Sequence, residues 1–369
     1  MKILWFTWKD KSHPQAGGAE TVNEELAKRL AADGHEVIFL VGGFTDGKEE
    51  ETRDGFKIIR LGNRWTVYWQ AYRYYKKNLR GWADLVIDEV NTIPFFCKFY
   101  VRERNILFVH QLCRVIWFYQ IWFPLSLVGY LLEPLYLWLL RDREVITISK
   151  STKKDLMRFG FRDDNINIIS EGIEIEPVQD LDSIKKYEAP TILSLGSIRA
   201  MKRTDHIIQA FEMAKKKLPD LRLIVAGEAE GLYGRKVLRL IKVSAYRGSI
   251  EYLGRVDVAK KLELLQRSHI LCATSVKEGW GLVVTEAASQ GTPAIVYDVD
   301  GLRDVVRSGN TGVVCKKNNI INFTNSILEI LEKKIEYQKL RRLAWDLSKG
   351  INFSKSYQKF LNLVTGENK

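Results

Sequence analysis

Two glutamates stand eight positions apart in the stretch EGWGLVVTEA, residues 278–287, with Gly279 and Gly281 beside the first of them. Carboxylates do chemistry by moving protons, by coordinating metals or by gripping hydroxyls, and spacing chooses among these. From Leu282 the pattern reads as a helix, so Glu286 lies about one and a half turns in, while Glu278 precedes it on a loop. At that separation the two acids do not share a proton. The glycines let a backbone approach an anion at the helix start, where N–H groups lack intrahelical partners and the dipole is positive. An anion held by amides, with an acid on either side accepting from hydroxyls, fits a nucleotide sugar: one acid for sugar hydroxyls, one for ribose.

Other constellations are weaker. Gly17 and Gly18 in PQAGGAE fall between a strand and a helix and suit a phosphate by the same logic, but a tight turn explains two glycines as well, and the motif is not GxGxxG. Asp298 and Asp300 in DVD imitate a metal-binding acid pair. They follow the strand PAIVY and precede GLRDVV, so a loop is expected and no metal is required. His110 and Cys113 at i and i+3 lack further ligands nearby, which makes a core cysteine the expectation. His13 and His35 carry no partner pattern.

The elements that must position these residues alternate. KILWFTW, the glycine loop, the helix TVNEELAKRLAADG and HEVIFLVGG open a βαβ series, continued by FKIIRLG, DLVIDEV, NILFVH and EVITIS. A second series runs through TILSLG, LRLIVAG, SIEYLG, HILCAT and PAIVYD with amphipathic helices between. Short apolar strands alternating with helices predict parallel sheets covered on both faces, and two series predict two Rossmann-like lobes. A chain of 369 residues exceeds a single ordinary core. The polar segment between Pro177 and Pro190 reads as a linker, and the helical tail after it breaks near Gly350.

Charge and cysteines narrow the setting. A net charge of +12 favours anionic partners, among which nucleic acid is excluded for want of a zinc-finger spacing, an RNA-binding signature or a basic tail. Four scattered cysteines without a CxxC pair fit a reducing, cytoplasmic setting. The amino terminus has too short an apolar stretch for a signal peptide. Residues 115–140 are apolar enough to suggest a membrane span, but Pro124, Pro134 and Glu133 argue against one. Two readings stay open: a buried helical pair, or aromatic rings that partly face a membrane interface. Residues 64–82 mix Trp65, Trp69, Tyr72, Tyr75 and Trp82 with Arg73, Lys76, Lys77 and Arg80, which suits an anionic bilayer surface or equally a solvated basic face over a core stripe.

Glu-x7-Glu with Gly-aromatic-Gly after the first acid resembles the retaining glycosyltransferases of family 4, which have the GT-B fold. The resemblance extends over most of the chain: GGAE, a histidine ending the strand in NILFVHQ, ITISKSTKKDL with SEGI, LGSIRAMKR, then the double-glutamate motif. It implies an α/β protein with two Rossmann-like domains facing across a cleft. Residues 1–178 would form the acceptor domain, 179–189 the linker and 190–348 the donor-binding domain, with a helical tail over 349–369 packing toward the N-terminal domain. The resemblance places Gly17 and Gly18 near the donor diphosphate, Lys202 on its phosphate charge, Glu278 on hydroxyls of the transferred sugar, Glu286 on the ribose and His110 facing the reacting sugar. His110, Lys202 and Glu278 are the implied catalytic residues. Ser197, Arg199, Gly279, Trp280, Gly281 and Leu282 complete the implied donor site.

One departure matters. The family form is Gly-Arg-Leu followed by a lysine; here it is Gly196-Ser197-Ile198, with Lys202 retained. Arg199 and Arg203 are the candidates to supply the missing cation. The expected activity is metal-independent, retaining transfer of a hexose-like sugar from a nucleotide-diphosphate sugar to a lipid-linked or glycan acceptor. It needs no cofactor beyond the donor and takes place in the cytoplasm, with peripheral contact to an anionic membrane on its cytoplasmic face. The alternatives are a nucleotide-sugar epimerase or hydrolase of the same fold, and a non-catalytic membrane-surface binding protein.

Overall fold

The computed structural model of the chain describes residues 1–306 and 311–366. It divides into two units, Met1–Gly172 with the C-terminal segment from Phe353, and Ile173–Asn352.

The first unit is an eight-stranded sheet: β1 (Lys2–Phe6), β2 (Glu36–Val41), β3 (Glu50–Arg53), β4 (Phe56–Arg60), β5 (Leu85–Val90), β6 (Arg104–Val109), β7 (Val145–Thr147) and β8 (Ile166–Ile168), in the order β3-β4-β2-β1-β5-β6-β7-β8. Every neighbouring pair is parallel except β3 and β4. That hairpin turns at Asp54-Gly55, both at positive φ, the two-residue geometry that matches strand twist. Its helices are α1 (Gly18–Ala32), α2 (Val67–Tyr74), α3 (Trp117–Gln120), α4 (Leu125–Leu140) and α5 (Lys150–Arg158). β5 is buried along its whole length, as a central parallel strand covered on both faces must be.

The second unit has six parallel strands, β9 (Thr191–Leu195), β10 (Arg222–Ala226), β11 (Ile250–Gly254), β12 (Ile270–Ala273), β13 (Ala294–Val296) and β14 (Gly312–Val314), ordered β11-β10-β9-β12-β13-β14. They are covered by α6 (Thr204–Lys215), α7 (Gly231–Val243), α8 (Val258–Arg267), α9 (Leu282–Ser289), α10 (Leu302–Val305), α11 (Ile320–Glu332) and α12 (Lys334–Ser348). In each sheet the winding reverses once, between β1 and β5 and between β9 and β12. At such a switch point the loops leaving two adjacent strands diverge and open a crevice at the carboxyl ends, which is where ligands of doubly wound sheets bind.

The expected boundaries change in two places. The division falls after Gly172 rather than after residue 178, and the expected linker 179–189 is packed into the second unit. The Lys186 ammonium is buried there and donates to Ser268 O, Gly291 O and Thr292 Oγ1 at 2.6–2.9 Å, and Arg341 donates to Leu181 O at 2.7 Å. A polar segment is thus held in place because its lysine and a facing arginine satisfy hydrogen bonds at a helix end, a strand start and the segment's own carbonyls. In the tail, residues 349–352 stay with the second unit, and α13 (Phe353–Thr365) belongs to the first. Phe360 is fully buried and stacks on Trp5 with ring centroids 5.9 Å apart; Tyr357 donates to Asp33 at 2.6 Å.

Residues 115–140 form α3 and α4, but the pair is only half-buried, so a wholly interior helical pair is ruled out. No helix among the described residues is long and apolar enough to cross a membrane. Because Phe360 fills the space beside Trp5, Phe360→Ala is expected to destabilise the first unit by about 3–5 kcal/mol. Urea unfolding followed by tryptophan fluorescence measures it, and an unchanged midpoint would show that α13 does not support that core.

Candidate active site

At the switch point of the second unit, the loop leaving β9 meets the loop leaving β12. The first contains a 3-10 turn over Ala200–Lys202. It is docked on the second by Thr274, whose hydroxyl lies 3.0 and 2.9 Å from the carbonyls of Lys202 and Arg203, and by the Val276 N–H donating to Met201 O at 2.8 Å. This brings the Lys202 ammonium into direct contact with the Glu278 carboxylate, which also accepts from Ser275 Oγ at 2.5 Å. Burial works to raise the Glu278 pKa, but the Lys202 ammonium, the Ser275 hydrogen bond and the Arg199 guanidinium outweigh it and hold the group below its ordinary value. Glu278 is therefore an ionised acceptor.

Backbone fit keeps the loop in place. The Glu278 N–H donates to Asp300 O at 3.2 Å, and a Cβ on Gly301 would lie 2.4 Å from Glu278 O, so only glycine allows this approach. Gly281 has φ +99° and starts α9 without any side-chain cap; the Val284 N–H turns back to Gly281 O at 2.8 Å. Trp280 donates its indole N–H to Thr285 at 3.2 Å, and Leu282 is the first residue of the helix. Glu286, further along α9, accepts from Lys261 of α8 at 2.6 Å. The two glutamates are therefore separately paired, each with its own lysine.

Ser197 lies in the segment that prolongs β9 beside the loop after β10, where Ile198 N donates to Glu228 O at 2.8 Å. Arg199 follows it in extended conformation, and its buried Nε has no hydrogen-bond partner. Arg199 is the arginine whose charge acts on Glu278, whereas Arg203 acts on His206, Tyr233 and Tyr297. Of the two candidate cations, Arg199 is therefore the one whose charge reaches Glu278. Asp298 and Asp300 are ion-paired, to Arg303 at 2.7 and 3.1 Å and, for Asp300, to Lys277 at 3.3 Å. Among the described residues no three His, Cys, Asp or Glu side chains cluster as a metal site requires.

The switch point of the first unit holds a buried polar network. Gly17 starts α1, and its N–H is taken by the Glu20 carboxylate at 2.6 Å, so a protein anion occupies the amide expected to serve a phosphate; Gly18 is the first helical residue. Glu20 also accepts from Asn91 at 3.1 Å and pairs with Lys9 at 3.3 Å. His110, just beyond β6, is buried and stacked on Phe108, with Nε2 3.0 Å from Asn23 Oδ1 and Nδ1 3.4 Å from Glu171 Oε1. Asn23 in turn donates to Glu89 at 2.6 Å. Burial lowers the His110 pKa, yet the hydrogen bond to Glu171 and the charges of Glu89, Glu171 and Glu20 raise it above its ordinary 6.5. Burial pushes the Glu89 carboxyl up to about 7, against the pull of His110.

Within the second unit, the structure thus brings Lys202 and Arg199 to Glu278, from which Gly279, Trp280, Gly281 and Leu282 lead into α9 and on to Glu286; Ser197 lies beside the loop after β10. Gly17, Gly18 and His110 cluster in the first. Lys261, Asn23, Glu89, Asn91 and Glu171 were missed by sequence reasoning. Glu20 and Glu171 had a signal, since they stand in GGAE and SEGI, and Asp88-Glu89 is a pair of acids ending an otherwise apolar strand.

Two doubly wound sheets, each with a charged cluster at its switch point, define a glycosyltransferase of GT-B type. The chain belongs to family 4 of the group 1 glycosyltransferases: residues 16–177 match Glycosyltransferase Family 4 and residues 179–344 match Glycosyl transferases group 1. It is 24% identical over 356 residues to N-acetyl-alpha-D-glucosaminyl L-malate synthase of Bacillus anthracis, covering 87% of this chain and 86% of that one. Among solved structures, sucrose-phosphate synthase from Thermosynechococcus elongatus superposes with a TM-score of 0.80 at 18% identity, covering 99% of this chain and 98% of that one. The Anabaena protein HepE in complex with UDP-glucose gives 0.75 at 16%, covering 99% and 100%.

The raised His110 pKa has a pH consequence. Protonated His110 stabilises the fold in full below about pH 6.5, and that contribution is lost as pH rises through the folded-state value. Glu171→Gln removes its largest raising interaction, so the histidine ring should titrate lower by NMR and the stabilisation should be smaller and fully lost by a lower pH. An unmoved titration would refute the Glu171 pairing.

Proposed function

We propose that the chain transfers a hexose-like sugar from a nucleoside-diphosphate sugar, with retention of configuration and without a metal, to a lipid-linked acceptor at a membrane surface. The observation that carries this is the Lys202–Glu278 pair beside the uncapped start of α9, with Arg199 aimed at the same place. Lys202 has three donors, so pairing with Glu278 leaves it capacity for a phosphate oxygen. The α9 amides and Arg199 add to the leaving-group charge stabilisation that is usually the largest single catalytic term. Glu278 accepts from hydroxyls of the transferred sugar and Glu286 from the ribose. HepE, solved with UDP-glucose, supports the donor class.

In the reaction, the bond from the anomeric carbon to the phosphate oxygen breaks and a bond to the acceptor oxygen forms on the same face. The acceptor proton passes to the departing diphosphate, so neither glutamate acts as a base. This agrees with the lowered pKa of Glu278, which makes its carboxylate a weak base. His110 and the Gly17-Gly18 turn are the first unit's contribution, supported by their place at its switch point; Asn23 and Glu171 act as positioning residues for His110. The ion-pairing of Asp298 and Asp300 supports metal independence, so a chelator should leave the rate unchanged. Peripheral contact with an anionic membrane is supported by the net charge of +12.

A panel of nucleoside-diphosphate sugars screened for thermal stabilisation tests the donor, because a ligand of the folded state raises apparent stability by mass action. A flat response to every donor overturns the proposal, and sugar released without an acceptor would indicate a hydrolase. Arg199→Ala should lower kcat/KM by about 10²–10³-fold, the scale of losing one charge-stabilising donor. Arg203→Ala should stay near the wild-type value, and the reverse ranking would move the missing cation to Arg203.

A further inference from the structure

The helix α4 is apolar on both sides. Its inward face buries Ser126, Glu133, Tyr136, Leu137 and Leu140, whereas the outward stripe of Val128, Leu131, Leu135 and Trp138 is 47–62% exposed. Glu133, the only charged residue in the helix, is 1% exposed. It accepts from the N–H groups of Cys113 and Arg114 at 2.7 and 2.6 Å and from the Trp117 indole at 2.9 Å. The turn before the helix adds Trp122 and Phe123, 69% and 71% exposed. A surface helix in water directs its apolar stripe to the core and its charges outward. α4 sends Leu137 and Leu140 to the core but also buries its one charge and turns a second apolar stripe outward, a surface of several neighbouring apolar side chains rather than single scattered ones.

The geometry points to a lipid bilayer as what covers this face. We propose that α4 is a monotopic anchor that lies in the membrane interface with its Val128–Trp138 stripe among the acyl chains. Sixteen residues of helix reach about 24 Å, short of a span. Tryptophans at both ends of the stripe, with Arg141 stacked on Trp138 at 4.6 Å and Arg114 on Tyr130 at 4.2 Å, put amphipathic rings and cations at headgroup depth. The chain's positive charge complements anionic headgroups. The exposed cations of the α2 region, Arg73, Lys76 and Lys77, add a salt-sensitive attraction; the apolar insertion does not depend on salt. This deepens the membrane-surface part of the proposed function and rests on that part alone, since donor binding belongs to the second unit.

Co-sedimentation with phosphatidylcholine/phosphatidylglycerol vesicles at low and high salt tests it. The wild type should stay bound at high salt, Leu131→Glu with Leu135→Glu should lower the partition coefficient at least about tenfold, and Lys76→Glu with Lys77→Glu should weaken binding only at low salt. Failure of the wild type to sediment, sedimentation of the α4 variant like wild type, or release by salt alone overturns the proposal. Sedimentation velocity without lipid should show monomers; a wild-type dimer dissolved by the α4 substitutions would assign the face to a second copy of the chain. Nucleotide-sugar thermal shifts in the same variant separate the two readings: with the shift retained, loss of vesicle binding concerns the membrane alone. Should the variant unfold, Trp122→Ser with Phe123→Ser, outside the helix, reads the same contact with the same expected loss.

Discussion

The contact between Lys202 and Glu278 is the constraint on which the second unit's site depends. Reversal of strand order places β9 beside β12 and sends the loops that follow them in opposite directions. A carboxylate set between such loops stays ionised only if a cation and hydrogen bonds replace the water it loses. Lys202, Ser275 and Arg199 do so, and the neighbouring features hold these groups in register. Thr274 ties down the turn that carries Lys202. Gly301 lets the loop after β13 press against the Glu278 backbone, and Gly281 starts a helix with no side chain over its amides. The resulting crevice is lined by cations and N–H groups, with ionised acceptors on either side.

The first unit meets the same topological situation with different chemistry. At its switch point three buried acids, Glu20, Glu89 and Glu171, face Lys9 and His110, with Asn23 and Asn91 bridging. Amides there divide their hydrogen bonds between a donor side and an acceptor side, so the network is connected without each acid having its own cation. Its charge state therefore depends on pH near neutrality, whereas Glu278 is held ionised there. His110 is held by protein on both ring nitrogens, and its orientation follows from residues on α1 and beyond β8.

Glu133 shows a third use of a buried carboxylate. In α4 it gathers the amides of Cys113 and Arg114 and the Trp117 indole, which fastens the helix to the preceding turn by polar contacts, while Tyr136, Leu137 and Leu140 pack its carboxyl-terminal half into the core. The apolar side chains of α4 are thereby released to the outside. A helix attached through one acid and a short buried edge of Tyr136, Leu137 and Leu140 can remain folded while presenting leucine and tryptophan outward, an arrangement that suits a solvent of hydrocarbon better than water.

Much of this was legible from residues alone. The alternation of apolar strands and amphipathic helices determined two doubly wound lobes, because parallel strands buried on both faces leave continuous apolar runs. The spacing of Glu278 and Glu286 across a helix start determined that they act apart, since helix geometry separates them whatever the rest of the chain does. What lay outside reach were pairings between distant positions. Lys202 and Glu278, Lys261 and Glu286, and His110 with Asn23 and Glu171 meet only because strand order brings their loops together, and neither local propensity nor periodicity encodes that order. The same holds for residues 179–189, whose polarity read as a linker until Lys186 found its carbonyls. In α4 periodicity failed for its own reason: nearly every position is apolar, so the sequence determined a helix, and only the burial of Glu133 in the tertiary structure decided which face is inside.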